Sequence, residues 1–271
     1  MTYDELMGQW SEGTSVRGTV ADAPALIVGG MGGSALAGDA LAFLVDERDI
    51  RIHRDYGLPR YAPEGALYVA VSYSGNTAET LDFAKKALAA GYPCAVVSSG
   101  GLLLQFAREN DLPHAIVPPG IPPRNAFGHL TRALCALVDA KRASAALAKV
   151  TLDEEALRAE AEQDALFLVH GVPLFYTSVG NDVFSRLGTL IMNESARTPA
   201  FRNVFPEMNH NELQSFDTDM PEGLMHLFRM MLIRDECDDP RILKRMHVFE
   251  KLMRDRQQTI RTMDLGHLNK A

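Results

Sequence analysis

A basic surplus is the first thing this chain lacks. Twenty-seven lysines and arginines face 35 aspartates and glutamates, a formal charge of −8 over 271 residues. With no excess of cations to neutralise a phosphodiester backbone, nucleic acid is not an expected partner, and neither is an anionic membrane surface. Cysteine is scarce as well. Cys94, Cys135 and Cys237 are odd in number and widely separated, which argues against a disulfide framework and predicts buried free thiols in a reducing compartment. No CxxC or HExxH spacing occurs, so no metal centre is expected. No apolar run approaches ~20 residues, the length of a membrane span, and the first residues carry no charged-then-apolar leader. The expected location is cytoplasmic.

What the chain does have is an ordinary globular composition, 46% hydrophobic and 23% charged, and enough length for two medium cores. Short apolar runs at residues 25–29, 50–53, 67–72, 94–98 and 114–117 alternate with amphipathic stretches at 35–45, 78–90 and 101–110. That alternation predicts an α/β fold, doubly wound, with a mostly parallel sheet flanked by helices. Pro118-Pro-Gly-Ile-Pro-Pro-Arg-Asn125 is a rigid interruption, followed by one long alanine/leucine helix over 126–148. Thr151 and Glu154 have the spacing of a capping box, which places a domain boundary there: residues 1–150 and 151–271. The second half repeats the plan more faintly, with a strand at 173–179, a Gly180-Asn-Asp loop and a helix to about 195. An irregular stretch, a strand near 226–233 and a helix over 240–256 follow.

Two loops sit where such sheets bind ligands, beyond the strands' carboxyl ends. Ser72-Tyr-Ser-Gly-Asn-Thr77 joins a strand to a helix and offers three hydroxyls beside the unpaired N–H groups of the helix's first turn. That combination is a seat for phosphate. No P-loop lysine accompanies it, so a small phosphorylated metabolite fits better than a magnesium nucleotide; the same residues would also serve as a plain serine-rich cap. Gly30-Met-Gly-Gly-Ser-Ala35 fits a loose dinucleotide fingerprint, with Asp55 roughly where a ribose-binding acid belongs. An NAD-type reading leaves the hydroxyl loop without a purpose. A sugar-phosphate reading uses both loops: backbone at Gly32, Gly33 and Ser34 approaches the sugar while Ser72, Ser74 and Thr77 hold its phosphate. We prefer it.

The second half carries another dense cluster. Glu194 closes an apolar helix face, where desolvation would raise its pKa and make it a base near neutral pH. The bland alternative is a helix-end acid paired with Arg197. His210 lies among Asn209, Asn211 and Glu212, side chains able to fix its tautomer. Its alternative is a hydrogen-bonded structural histidine. Metal ligation by Glu207, His210 and Glu212 has no recognised spacing.

Gly30-Met-Gly-Gly-Ser-Ala-Leu-Ala-Gly-Asp39, Asp55-Tyr-Gly-Leu-Pro59, Ser72-Tyr-Ser-Gly-Asn-Thr-Ala-Glu-Thr80, Pro123-Arg124, Asn193-Glu194 and Pro206-Glu-Met-Asn-His-Asn-Glu212 occur in this order. Together they resemble the bifunctional phosphoglucose/phosphomannose isomerase family, built from two sugar isomerase (SIS) domains. The resemblance implies two SIS-type lobes and cofactor-free aldose–ketose isomerisation of glucose 6-phosphate and fructose 6-phosphate, with mannose 6-phosphate a further candidate. It implies that Gly32, Gly33, Ser34, Ser72, Ser74 and Thr77 bind substrate, that Arg124 is the active-site arginine, Glu194 the catalytic base and His210 the ring-opening histidine. In the family that histidine comes from the partner subunit, so a homodimer is implied. Family chains continue past the region matching 245–256 with a further strand and a terminal helix, for which residues 259–271 show no counterpart; Lys270 receives no role by position alone. A non-catalytic or differently specific phosphosugar-binding SIS protein is the alternative.

Overall fold

The computed structural model describes residues 2–11, 13–216 and 223–266, so Lys270 lies outside the described residues. The chain divides into two compact units, Met1–Leu152 and Asp153–Ala271, each with its own sheet.

In the first unit, helix α1 (Tyr3–Ser11) and strand β1 (Ser15–Arg17) precede the alternation β2 (Ala25–Gly29), α2 (Gly32–Leu44), β3 (Asp49–His53), β4 (Leu67–Ser72), α3 (Ala78–Ala89), β5 (Cys94–Ser98), α4 (Gly101–Glu109) and β6 (His114–Ile116). Helices α5 (Phe127–Leu137) and α6 (Lys141–Leu147) close it. The strand order is β1-β6-β5-β4-β2-β3, parallel throughout except for β1, which runs antiparallel to β6 at the edge. β2, β4 and β5 are buried along their whole length, which explains why they read as unbroken apolar runs. Alternate residues feed two cores: Leu26 and Val28 pack with Leu130 and Leu134 of α5, while Ala25 and Ile27 pack with Phe83 of α3 and Leu103 of α4. After β2 the chain moves outward to β3, and then returns to the other side of β2 as β4. The crevice between the ends of β2 and β4 is therefore the switch point where doubly wound sheets take ligands, and both glycine/serine loops open there.

Helix α7 (Glu154–Leu168) opens the second unit, followed by β7 (Val172–Ser178), α8 (Asp182–Leu190), β8 (Phe201–Phe205), β9 (Phe228–Arg234), α9 (Pro240–Asp255) and β10 (Ile260–Asp264). Its four strands are all parallel, in the order β10-β9-β7-β8. Leu174, Tyr176, Phe205, Met230 and Leu232 face Met246, Phe249 and Met253 of α9 on one side. Phe175, Met231 and Ile233 pack with Leu168, Phe184 and Met192 on the other.

Several expectations are corrected. The long helix over 126–148 is two helices, because Asp139 turns into the left-handed region at φ +55° between them. The cap of α7 is Asp153, whose carboxylate accepts from Ala156 N at 3.1 Å; Thr151 does not perform it. The segment after α9, which showed no counterpart of the family's next strand, forms β10 in register with β9, and Arg234 grips Asp264 at 2.6 and 3.0 Å. Of the three thiols, Cys94 and Cys135 are buried but Cys237 is exposed, since it sits in the acidic turn after β9 rather than on an apolar face.

Candidate active site

The hydroxyl loop after β4 is held in place from within and from below. Buried Ser72 shares a hydrogen bond with Thr77, Oγ to Oγ1 at 2.9 Å, and accepts from Gly75 N at 3.1 Å. Ser74 Oγ is exposed and accepts from Asn76 N at 3.3 Å, while half-buried Thr77 is the N-cap residue of α3 with no side-chain cap bond. Ser72 thus builds the loop, leaving Ser74, Thr77 and the first-turn N–H groups of α3 as the donors facing outward.

A loop that sequence reasoning missed locks this arrangement. Ser99 donates from both N and Oγ to Tyr73 O, at 3.0 and 2.6 Å, Leu103 N reaches Gly75 O at 2.8 Å, and Leu102 N reaches Asn76 Oδ1 at 3.1 Å. Gly75 (φ +68°) and Gly101 (φ +66°) meet so closely that a Cβ on Gly75 would lie 1.9 Å from Gly100 O. The available signal was Ser98-Ser-Gly-Gly101 at the end of β5, a third serine/glycine loop beside the other two.

At the glycine loop, Gly32 and Gly33 form the first turn of α2, exposed and half-buried respectively. Ser34 Oγ accepts from Tyr73 N at 3.1 Å, tying this loop to the hydroxyl loop across the switch point. Buried Tyr73 then extends the chain of contacts: its hydroxyl donates to Pro118 O at 2.9 Å and accepts from Ile121 N at 3.1 Å. That fixes the start of the proline-rich segment. Its other end is held by Gln9 of α1, which is 2% exposed, donates to Asn125 O at 2.7 Å and accepts from Gly128 N at 3.0 Å. Between these anchors Arg124 stands exposed in a one-turn helix packed beside α2, with no hydrogen bond or ion pair among the described residues. Asp55, the ribose-acid candidate, accepts from Tyr56 N at 2.7 Å, as a turn residue does.

The second unit presents its candidates differently. α8 ends in a π-helical turn, Ile191–Ser195, in which Ala196 N reaches back to Ile191 O at 3.1 Å. Met192 turns inward and Asn193 Oδ1 accepts from Ala200 N at 3.0 Å, securing the entry to β8. Glu194 is exposed. The desolvation expected from its apolar neighbours is not supplied by this unit, because the widened turn rotates the carboxylate out of the helix's buried stripe. It forms no ion pair with Arg197 among the described residues, and Arg197 itself adopts φ +53°.

His210 is exposed at the end of the short 3₁₀ turn Glu207–His210. The neighbours expected to orient it bond elsewhere. Asn211 Nδ2 donates to Glu207 Oε1 at 3.1 Å, Asn209 turns to the sulfur of Met208, and Glu212 accepts from Tyr176 OH at 2.5 Å and Asn203 Nδ2 at 2.6 Å. The His210 imidazole has no hydrogen bond among the described residues. Met208, buried in the α9-side core, holds the His210 turn on one face of the sheet, whereas Met192 holds the Glu194 turn on the other. The sheet stands between the elements that carry the two side chains.

A cavity of about 530 Å³ in this unit lies between Asn209, Leu213 and the Arg241, Lys244, Arg245 and Val248 side of α9. Among the described residues, no three His, Cys, Asp or Glu side chains are grouped to hold a metal ion, and no helix is long and apolar enough to cross a membrane.

A bifunctional phosphoglucose/phosphomannose isomerase from Caldicellulosiruptor bescii is 31% identical over 261 residues, covering 89% of this chain and 76% of that protein. The chain belongs to that family. Residues 157–269 match the bacterial phospho-glucose isomerase C-terminal SIS domain. A D-glucosamine-6-phosphate 4-epimerase from Sulfolobus acidocaldarius is also 31% identical, over 195 residues, 70% of this chain and 63% of that one. The fold agrees with a solved hypothetical protein from Thermus thermophilus, TM-score 0.64 at 20% identity, covering 98% of this chain and 76% of that one. Family membership gives the α/β architecture of both units its name: each is a SIS-type sheet flanked by helices.

Proposed function

We propose that this chain is an aldose–ketose isomerase of hexose 6-phosphates, interconverting glucose 6-phosphate and fructose 6-phosphate and accepting mannose 6-phosphate as a second aldose. The observation that carries the reading is membership of the isomerase family over 89% of the chain, and the first unit's clamped anion seat supports it. The phosphate rests on Ser74, Thr77 and the α3 N-terminus, and Gly32, Gly33 and Ser34 line the sugar. His210 protonates the ring oxygen as the C1 hydroxyl releases its proton, opening the ring to an aldehyde. Glu194 then removes the C2 proton, which the C1 carbonyl acidifies, and delivers it to C1 through a cis-enediol. Arg124, exposed and without a partner among the described residues, stabilises the charge that grows on the enediolate oxygens. No cofactor is required, and the phosphorylated substrate places the enzyme in the cytoplasm.

The shared site of a homodimer is part of the proposal. It is supported by the sheet that separates the supports of Glu194 and His210 within one copy, so the imidazole serves a neighbouring protomer. Mixing tests this. Glu194→Gln and His210→Ala proteins, each with only a small residual activity alone, regain about one quarter of wild-type activity after joint refolding, because a two-fold heterodimer carries one intact site. No recovery in a mixture shown to exchange subunits would sink the shared site. Activity on glucosamine 6-phosphate without turnover of glucose 6-phosphate would instead favour the differently specific reading that the epimerase relative suggests.

A further inference from the structure

Every polar side chain flanking His210 shapes its turn, and none touches the imidazole. Glu212 is central to that shaping. Its two carboxylate oxygens are each claimed by a donor from a different strand: Tyr176 OH from β7 at 2.5 Å and Asn203 Nδ2 from β8 at 2.6 Å. Tyr176 is 0% exposed. Burial, with the carboxylate's charge and hydrogen bond behind it, drives its hydroxyl far above the usual tyrosine range and keeps it a donor. Asn203 cannot turn its amide round, because its Oδ1 already accepts from Val204 N at 2.8 Å. Two fixed donors converging from two strands require a group that only accepts, with two oxygens, and a carboxylate is that group. Met208 and Phe216, at 0% and 2% exposure, bury the two ends of the same segment.

We infer that Glu212 is a positioning residue for His210. It ties the turn to two strands through the main chain, so that an imidazole with no bond among the described residues is presented at a set place to a neighbouring site. This rests on the isomerase reading and deepens it. Glutamine at 212 leaves one donor without an acceptor, either the Tyr176 hydroxyl or the Asn203 amide. Asn203→Asp combined with Glu212→Gln restores the set, since the carboxylate introduced on β8 then accepts from both Val204 N and the glutamine amide while the glutamine oxygen accepts from Tyr176.

Steady-state kinetics on the full-length protein with fructose 6-phosphate, beside thermal unfolding, test it. Displacing a catalytic group by about 1 Å costs up to about 100-fold. Glu212→Gln is therefore expected to lower kcat roughly 10- to 100-fold with KM held within about twofold. The double variant N203D/E212Q is expected to recover to within about threefold of wild type, and Glu212→Gln to remove less than about twofold more from a His210→Ala protein. Tyr176→Phe, which removes one of the two bonds, gives the same pattern at smaller amplitude if Glu212→Gln fails to fold. An undiminished loss in the His210→Ala background, or wild-type kcat in Glu212→Gln while His210→Ala is strongly impaired, overturns the positioning role alone. A wild-type protein that turns over no hexose 6-phosphate overturns the isomerase reading, and this inference with it.

Discussion

The first unit's loops and the second unit's candidate residues are built in opposite ways. Around the switch point of the first sheet, Ser34, Ser72, Gly75 and Tyr73 are bonded to one another and to the Ser99–Leu103 segment, so the proposed anion seat is built from contacts within the unit itself. Glu194 and His210 stand exposed on short irregular turns, with their immediate neighbours bonded elsewhere. The contrast separates grip from chemistry. Binding energy requires many donors at fixed spacing, while proton transfer requires a titratable group free to meet a substrate atom.

The sharpest way to break this comparison is Glu194→Gln. It should lower kcat by about 10²–10⁴-fold while leaving stability within about 0.5 kcal/mol, because an exposed side chain contributes little to folding. Calorimetry should still detect hexose phosphate binding to the first unit's seat. Equal turnover in that variant removes Glu194 from the mechanism. Next comes Gly75→Ala, whose new Cβ would collide with Gly100 O. A loss of roughly 2–4 kcal/mol in urea unfolding, with a raised KM, is expected. Gly91→Ala is the control, since it shares a positive φ of +77° but meets open space; about 1 kcal/mol is expected there. A similar loss at both positions would mean that the interlock between the loops is not what holds the seat. Smallest is a thiol count. Burial pushes Cys94 up to about 11 and Cys135 up to about 12, so both stay protonated and shielded at pH 8. Cys237 is exposed, although local desolvation and, behind it, its acidic neighbours also raise its thiol. One thiol per native chain should react with a disulfide reagent at pH 8, and three after unfolding, with activity unchanged.

The centre of the first sheet was legible because β2, β4 and β5 are buried on both faces and so appear as apolar runs, which residues 25–29, 67–72 and 94–98 match end to end, whereas the exposed edge strand β1 left no such run and was missed. β8 was not legible either, because it is an edge strand: Phe201 is 59% exposed, and Arg202 and Asn203 belong to ion-pair and hydrogen-bond networks rather than to a core. The break between α5 and α6 depends on one left-handed aspartate, which an alanine-rich pattern hides. At the site, the residue types carried the resemblance, but their surroundings did not follow from spacing. Glu194 looked buried because its neighbours are apolar, yet a π-helical turn reassigns which side chain faces inward. The Ser98–Gly101 clamp was passed over because every one of its bonds has a backbone group at one end, which leaves little trace in side-chain chemistry.

Tyr73 has a consequence of its own. Its main-chain N–H and C=O belong to the loops proposed to seat the phosphate, while its phenol holds the segment leading to Arg124. One residue thus links the proposed phosphate loops to the segment that carries Arg124. On the proposed reading Tyr73 works as a gauge of carbon-chain length, and pentose phosphates, one carbon shorter, would be held correctly at one end and miss at the other.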